Sequence, residues 1–257
     1  MAASASRLRV FFLHLPKAGG TAIATRFKTA FESANSASTD TSLPTDPKLW
    51  KEWSKYDFIH GHCGFGLFKS VGQDYSLVTN FRHPVDRVVS LYDFWRNNIG
   101  PEDTIDDDMK RDNPPSTTLA PYLARQLSFS EFIRRQETAI SIYIRNWHAR
   151  QLLGDPWEYR KLYIWDMWLV RFRFSRLYWF YVCEEPEKSE TWFRDRFPSL
   201  EHKALALENP TDYSEKSRTT PSSDDIQVIL RDNWADVELY ERALKILKKR
   251  VDTLERR

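Results

Sequence analysis

The stretch LRVFFLHLPKAGGTAIATRFKTAF, residues 8–31, constrains the fold of this chain more than any other. Residues 8–15 are a nearly unbroken apolar run of strand length, and Ile23, Phe27, Ala30 and Phe31 then recur at helical spacing. Only a short Pro-Lys-Ala-Gly-Gly-Thr loop separates the two. A strand that passes so directly into a helix suits a parallel sheet, whose neighbouring strands can be joined only by a crossover. The same junction aims the first N–H groups of the helix at an anion.

The pattern repeats. Residues 56–60 (YDFIH) read as a second strand leading into GHCGFG, and residues 75–81 (YSLVTNF) as a third that ends at Arg82-His83-Pro84. Proline suits a first helical turn, and Val85, Val88, Tyr92 and Trp95 then keep helical period. Helical spacing returns over 130–135 and 140–153, with Gly154 placed to stop it. Residues 177–182 read as another buried strand, 189–197 as a short helix, and 224–254 as a helical stripe broken near Asn233. The expectation is an α/β chain with a P-loop-like three-layer fold, a mainly parallel central sheet flanked by helices. Residues 33–47 read as a solvated connection, and the acidic, Pro-rich residues 100–121 as a surface loop or a mobile lid.

With 257 residues, 41% hydrophobic and 29% charged, the chain can bury one sizeable core, so a single domain over 1–257 is expected. The formal net charge of +2 gives no reason to expect a nucleic-acid partner. Cys63 and Cys183 show no metal-ligand spacing and read as buried thiols. No apolar leader precedes the first strand and no stretch has the length of a membrane span, so a cytoplasmic protein is expected. Several of the ten tryptophans fall between Trp147 and Trp192. They fill core between helices, or one or two form a wall for an acceptor molecule.

Ligands of such sheets bind at the carboxyl ends of the strands, which puts PKAGGT, HGHCGFG and FRHP on one rim. The first loop is not a nucleotide-triphosphate loop: Lys17 precedes Gly19, Gly20 and Thr21 where it would have to follow them, and the magnesium ligands are missing. Its amides still suit an anion, with Lys17 adding charge and no metal required. Arg82 closes the third strand and Ser90 lies two helical turns on, so a guanidinium and a hydroxyl can hold a second phosphate. Arg87 is either a supporting cation or an ordinary surface ion-pair partner.

Taken together, PKAGGT and RHPVDRVVSLY resemble the two cofactor motifs of sulfotransferases that use 3'-phosphoadenosine-5'-phosphosulfate. The branch is that of the carbohydrate 2-O- and 6-O-sulfotransferases and their small bacterial-type relatives. HGHCGFG, NWHARQLLG, YVCEEPEKS and NWADVELYERA extend the similarity over most of the chain in the expected order. The resemblance implies that Lys17, Ala18, Gly19, Gly20 and Thr21 hold the 5'-phosphosulfate, with Ala18 where the family usually has threonine. Arg82 and Ser90 then fall on the 3'-phosphate positions, and Arg218 lies where relatives send a basic loop over the cofactor.

Sulfuryl transfer needs a base for the acceptor, in-line geometry and a cation at the departing phosphate. Lys17 suits the last role. His62 is the first candidate for the base and His60 the second; the alternative for either is a structural hydrogen bond in a tight loop. His14 is expected in the core or behind the loop. Asn146 and Arg150, four apart, and His148 are candidates for contact with a glycan or small-molecule acceptor. Glu184 and Glu185 orient a base or bind water. The competing readings are a non-catalytic module that binds adenosine 3',5'-bisphosphate and a kinase-like phosphotransferase, the latter opposed by the inverted loop.

Overall fold

The computed structural model describes residues 8–31, 35–42, 46–72, 74–98, 119–157, 160–200 and 218–257. In chain order its elements begin with β1 (Val10–Leu13), α1 (Gly20–Ala30), β2 (Ser36–Ser38), α2 (Thr39–Ser42), a 3₁₀ segment (Pro47–Lys55), β3 (Phe58–Gly61) and α3 (Phe65–Val71). They continue with β4 (Ser76–Phe81), α4 (Pro84–Asn98), α5 (Leu119–Gln126), α6 (Phe129–Arg134), α7 (Thr138–Ile144), α8 (Trp147–Leu153) and α9 (Asp166–Phe174). The last are β5 (Trp179–Val182), α10 (Pro186–Arg196), α11 (Ser223–Asp232) and α12 (Trp234–Leu254).

The strands form one five-stranded, all-parallel sheet in the order β2-β3-β1-β4-β5, flanked by helices, so the expected three-layer α/β fold is what the chain adopts. Central β1 pairs with β3 on one side and β4 on the other; Leu13 sits opposite both Gly61 and Thr79. Both faces of β1 are covered, which is why Val10, Phe11, Phe12 and Leu13 are all apolar and show no alternation. Helix α1 packs Ile23, Ala24 and Phe27 onto this layer. A second apolar cluster joins α4 to the α5–α7 helices and α11 through Val88, Tyr92, Trp95, Phe132, Ile140 and Ile229. Capping boxes start α6 at Ser128/Glu131 and α11 at Ser222/Asp225, each side chain receiving the other residue's amide.

Two expectations need correction. Residues 36–42, read as solvated connection, hold the edge strand β2 and the turn α2. The helix expected over 140–153 is two helices, because Asn146 takes a left-handed conformation (φ 45°) between α7 and α8. Gly154 ends α8, and Asn233 separates α11 from α12, as the sequence indicates. Of the loop expected over 100–121, residues 119–121 begin α5 and the rest lie outside the described residues. Among the described residues no helix is long and apolar enough to cross a membrane.

Candidate active site

Each strand of the sheet delivers one polar residue or more to its carboxyl end: Asp40 after β2, His62 after β3, His14 and Lys17 after β1, Arg82 after β4 and Glu184 after β5. The loop after β1 is pinned from below. Asn80, fully buried on β4, accepts from the Leu15 amide at 2.7 Å and donates to the carbonyls of Leu15 (3.0 Å) and Ala18 (2.7 Å). Arg82 donates to the Lys17 carbonyl at 3.0 Å. Lys17 and Gly19 both have positive φ, 61° and 72°, and Gly19 leads into α1 without any side-chain cap. The first amides of α1 are therefore left for an external acceptor.

At Gly20 a β-carbon would come within 2.0 Å of the His14 ring, so any side chain there would force the ring or the start of α1 to shift. Ala18 is fully buried in a small cluster with Leu15 and Trp147. Its side chain points into protein, so only its backbone can serve a ligand, and a hydroxyl there would be of no use to the anion. Thr21 is half-buried on the first turn of α1. The Lys17 ammonium lies 3.9 Å over the Phe94 ring of α4. Burial, aided by the Arg82 charge, pulls its pKa down to about 8.

Helix α4 supplies the next layer. Ser90 is buried on it, and Arg87 is not the surface ion-pair partner the sequence left open: it is 1% exposed. One of its amino groups donates to the Tyr143 carbonyl at 2.9 Å, while its Nε and second amino nitrogen find no hydrogen-bond partner among the described residues. Burial lowers its pKa, and the buried carboxyl of Asp236 offsets part of that cost. Asp93 accepts from the amide (3.2 Å) and hydroxyl (2.6 Å) of Thr219, which draws Arg218 alongside α4 within 3.7 Å of Asp86. A cleft of about 600 Å³ lined by Tyr92, Arg96, Arg125, Ser128, Arg218 and Thr219 runs beside this helix.

On the other side of the loop, His62 Nδ1 lies 3.1 Å from Asp40 Oδ1, and the His62 amide donates to the same oxygen at 2.8 Å. A carboxylate only accepts, so the Asp40 contact selects the tautomer with the proton on Nδ1, and Nε2 is the nitrogen that carries the lone pair whenever the ring is neutral. Burial pushes the Asp40 carboxyl up, but the two bonds from His62 and its charge outweigh this and hold it at about 2. His14 stacks on the His62 ring at 4.6 Å. Burial and the neighbouring His62 keep His14 neutral, well below the usual histidine range. His14, Asp40 and His62 each bring a ligand atom within 4.8 Å of the others, a donor set of two imidazoles and a carboxylate.

The structure does not bring the second candidate base, His60, to this place. His60 is 5% exposed in β3, stacked on Phe58, and burial together with Lys28 lowers its pKa to about 4. It faces core, not the rim, because Gly61 (φ 138°) turns the chain between it and His62. The three residues expected at the acceptor are likewise scaffold. Asn146 accepts from the amides of Ala235 (3.0 Å) and Asp236 (3.3 Å) and donates to Asp232 O, tying α8 to the start of α12. His148 is 2% exposed, bonds Thr79 Oγ1 at 3.1 Å and packs on Phe81. Arg150, also 2% exposed, donates to the carbonyls of Pro156, Ile142 and Arg145. Glu184 accepts from the His83 amide at 2.8 Å and Glu185 pairs with Lys188, so neither orients the base.

Of two further residues next to His62, Asp40 escapes the sequence reading and Trp157 is not distinguished within the tryptophan-rich run. Asp40 sits in a polar stretch with no periodicity, and nothing local marks it. Trp157, one member of the tryptophan-rich run, donates its indole N–H to the His62 carbonyl at 2.8 Å and stands edge-on to Trp147 at 4.8 Å. It is 41% exposed, so it offers a wall beside the base, whereas Trp53, Trp95, Trp147, Trp179 and Trp192 are core. No protein-family model matches the chain, and no curated protein matches it significantly.

Proposed function

We propose that this chain moves a sulfuryl group from 3'-phosphoadenosine-5'-phosphosulfate to a hydroxyl or amine acceptor. The observation that carries the reading is a juxtaposition on four adjacent strand ends. An uncapped helix start with Lys17 and Arg82 lies beside an imidazole whose Nδ1 is held by Asp40. The first group suits a bisphosphate, the second an acceptor proton.

The nucleotide supplies an electrophilic sulfur and a phosphate leaving group. The amides of Gly20 and Thr21 with Lys17 fit the 5' end, and Arg82 with Ser90 and Arg218 fits the 3'-phosphate. His62 Nε2 takes the acceptor proton as the acceptor oxygen bonds to sulfur, and Asp40 stabilises the imidazolium that forms. Lys17 neutralises the oxygen released when the old sulfur–oxygen bond breaks, leaving adenosine 3',5'-bisphosphate. His60 is not needed in this scheme. Trp157 gives a flat apolar wall suited to a sugar face or another ring, so a glycan or small-molecule acceptor in the cytoplasm is the reading we favour.

Isothermal titration with adenosine 3',5'-bisphosphate, against 5'-AMP and magnesium-ATP, tests the clamp; equal affinity for all three would reject it. A screen of acceptors with isotopically labelled donor, read by mass spectrometry for wild type and His62→Ala, tests the reaction. Tight bisphosphate binding with no transfer to any acceptor would identify a binding module instead.

A further inference from the structure

The tryptophan-rich run has a second half that the site does not use. Tyr163, Ile164, Trp165, Trp168 and Phe172 are exposed by 43%, 66%, 68%, 75% and 55%. They lie on and just before α9, whose opposite face buries Met167, Val170 and Phe174. Side chains this exposed stand out from the surface and do not line a groove. Tyr163 stacks on Trp165 at 4.6 Å and Trp168 on Phe172 at 6.4 Å, so the ridge is made of two ordered ring pairs. A ridge of this kind is a poor receptor for a peptide, which needs a concave seat.

The surrounding charge indicates what covers it. Arg160, Lys161, Arg171 and Arg176 are exposed around the ridge. The carboxylates nearby are already engaged: Asp166 with Arg160 at 2.9 Å, Glu238 with Arg171 at 2.6 Å. Tryptophan and tyrosine with an arginine and lysine rim is the composition that partitions into a bilayer interface, rings at headgroup depth and cations on lipid phosphates.

We infer that the α9 ridge docks this protein peripherally on an anionic lipid surface. The inference does not depend on the sulfuryl-transfer reading, since it concerns a different face and a different readout. Arg160 and Arg171 are paired with Asp166 and Glu238, so the four cations of the rim leave a surplus of two positive charges, enough to make binding depend on lipid charge.

The test is sedimentation of the full chain with vesicles of phosphatidylcholine alone or with added phosphatidylglycerol. Binding to the anionic vesicles should exceed binding to neutral ones by about tenfold or more and weaken with salt. The variant Trp165→Ser/Trp168→Ser/Phe172→Ser, altered only at exposed positions, should lose it while keeping wild-type circular dichroism and Tm. Equal binding to both vesicle types, or undiminished binding by the triple variant, would overturn the proposal. So would concentration-dependent dimerisation in sedimentation velocity that the triple variant abolishes, because the ridge would then be covered by a second copy of the chain.

Discussion

Asp40 and His62 come from the ends of neighbouring strands, β2 and β3, and one carboxylate oxygen of Asp40 receives both the ring Nδ1 and the backbone amide of His62. Two bonds to one oxygen fix the imidazole in position and tautomer, which makes Asp40 a positioning residue for the proposed base. Asp40→Asn should lower sulfuryl transfer by about 10–100-fold, and His62→Ala by about 10²–10⁴-fold, with bisphosphate affinity unchanged in both. The same pair sets an acid dependence. Asp40's folded pKa of about 2 lies below its ordinary 3.8, so the stability it contributes is present above 3.8 and lost as pH falls through about 2. Urea melts between those values should be flatter with pH for Asp40→Asn than for wild type.

Lys17 sets a limit at the other end of the pH scale. With its pKa lowered to about 8, it is a cation below that pH and increasingly neutral above it. Affinity for adenosine 3',5'-bisphosphate should therefore fall as pH rises through about 8, with the midpoint displaced upward in the complex because the anion favours the charged form. Lys17→Arg, always charged, should show no such fall over the same range in titration calorimetry.

Lys17 also sits in the left-handed region at φ 61°, where glycine is at ease and lysine is not. Lys17→Gly should be about 1 kcal/mol more stable than wild type in chemical denaturation. It should bind the bisphosphate about tenfold or more weakly, and a variant that lost stability instead would show that the loop is not strained. Stability set aside for binding is what a functional loop shows.

Asn80 makes three hydrogen bonds to the loop from a fully buried position. Asn80→Ala should cost about 2–4 kcal/mol, because it removes the bonds and strands the Leu15 amide and the carbonyls of Leu15 and Ala18. Arg82→Ala, from a less buried group, should lower stability much less and bisphosphate affinity more, by about 100-fold. Thermal melts with and without ligand separate the two.

Gly20→Ala tests the approach of His14. A methyl group there meets the ring at 2.0 Å, so His14 or the start of α1 must shift. A loss of about 1–3 kcal/mol is expected. Because His14 stacks on His62, sulfuryl transfer should fall as well. The double variant Gly20→Ala/His14→Ala should regain part of the stability, which a cost arising in the backbone alone would not permit.

By itself the sequence determined four of the five strands, all but the edge strand β2, and the Lys-Ala-Gly-Gly loop after β1. The β1 run is apolar throughout because both its faces are covered, and Pro84, Gly154 and the Gly19-Gly20 pair mark element ends by chemistry that operates within a few residues. Lys17, Gly19, Gly20 and Arg82 follow from the same local rules once the strands are parallel, since their ends must share a rim. Only the tertiary structure decided which polar residues reach it. His60 and His62 differ by one glycine turn in sequence and by core against rim in space. Asn146, His148 and Arg150 look like a ligand set in sequence, yet Asn146 and Arg150 spend their side-chain hydrogen bonds on the backbone of other segments and His148 bonds the buried Thr79 hydroxyl. Asp40 had no local signal at all, and nothing in the tryptophan-rich run marked Trp157 as the member beside His62. Their roles rest on contacts to His62 from positions 22 and 95 residues away, and contacts of that range are settled by packing, not by spacing.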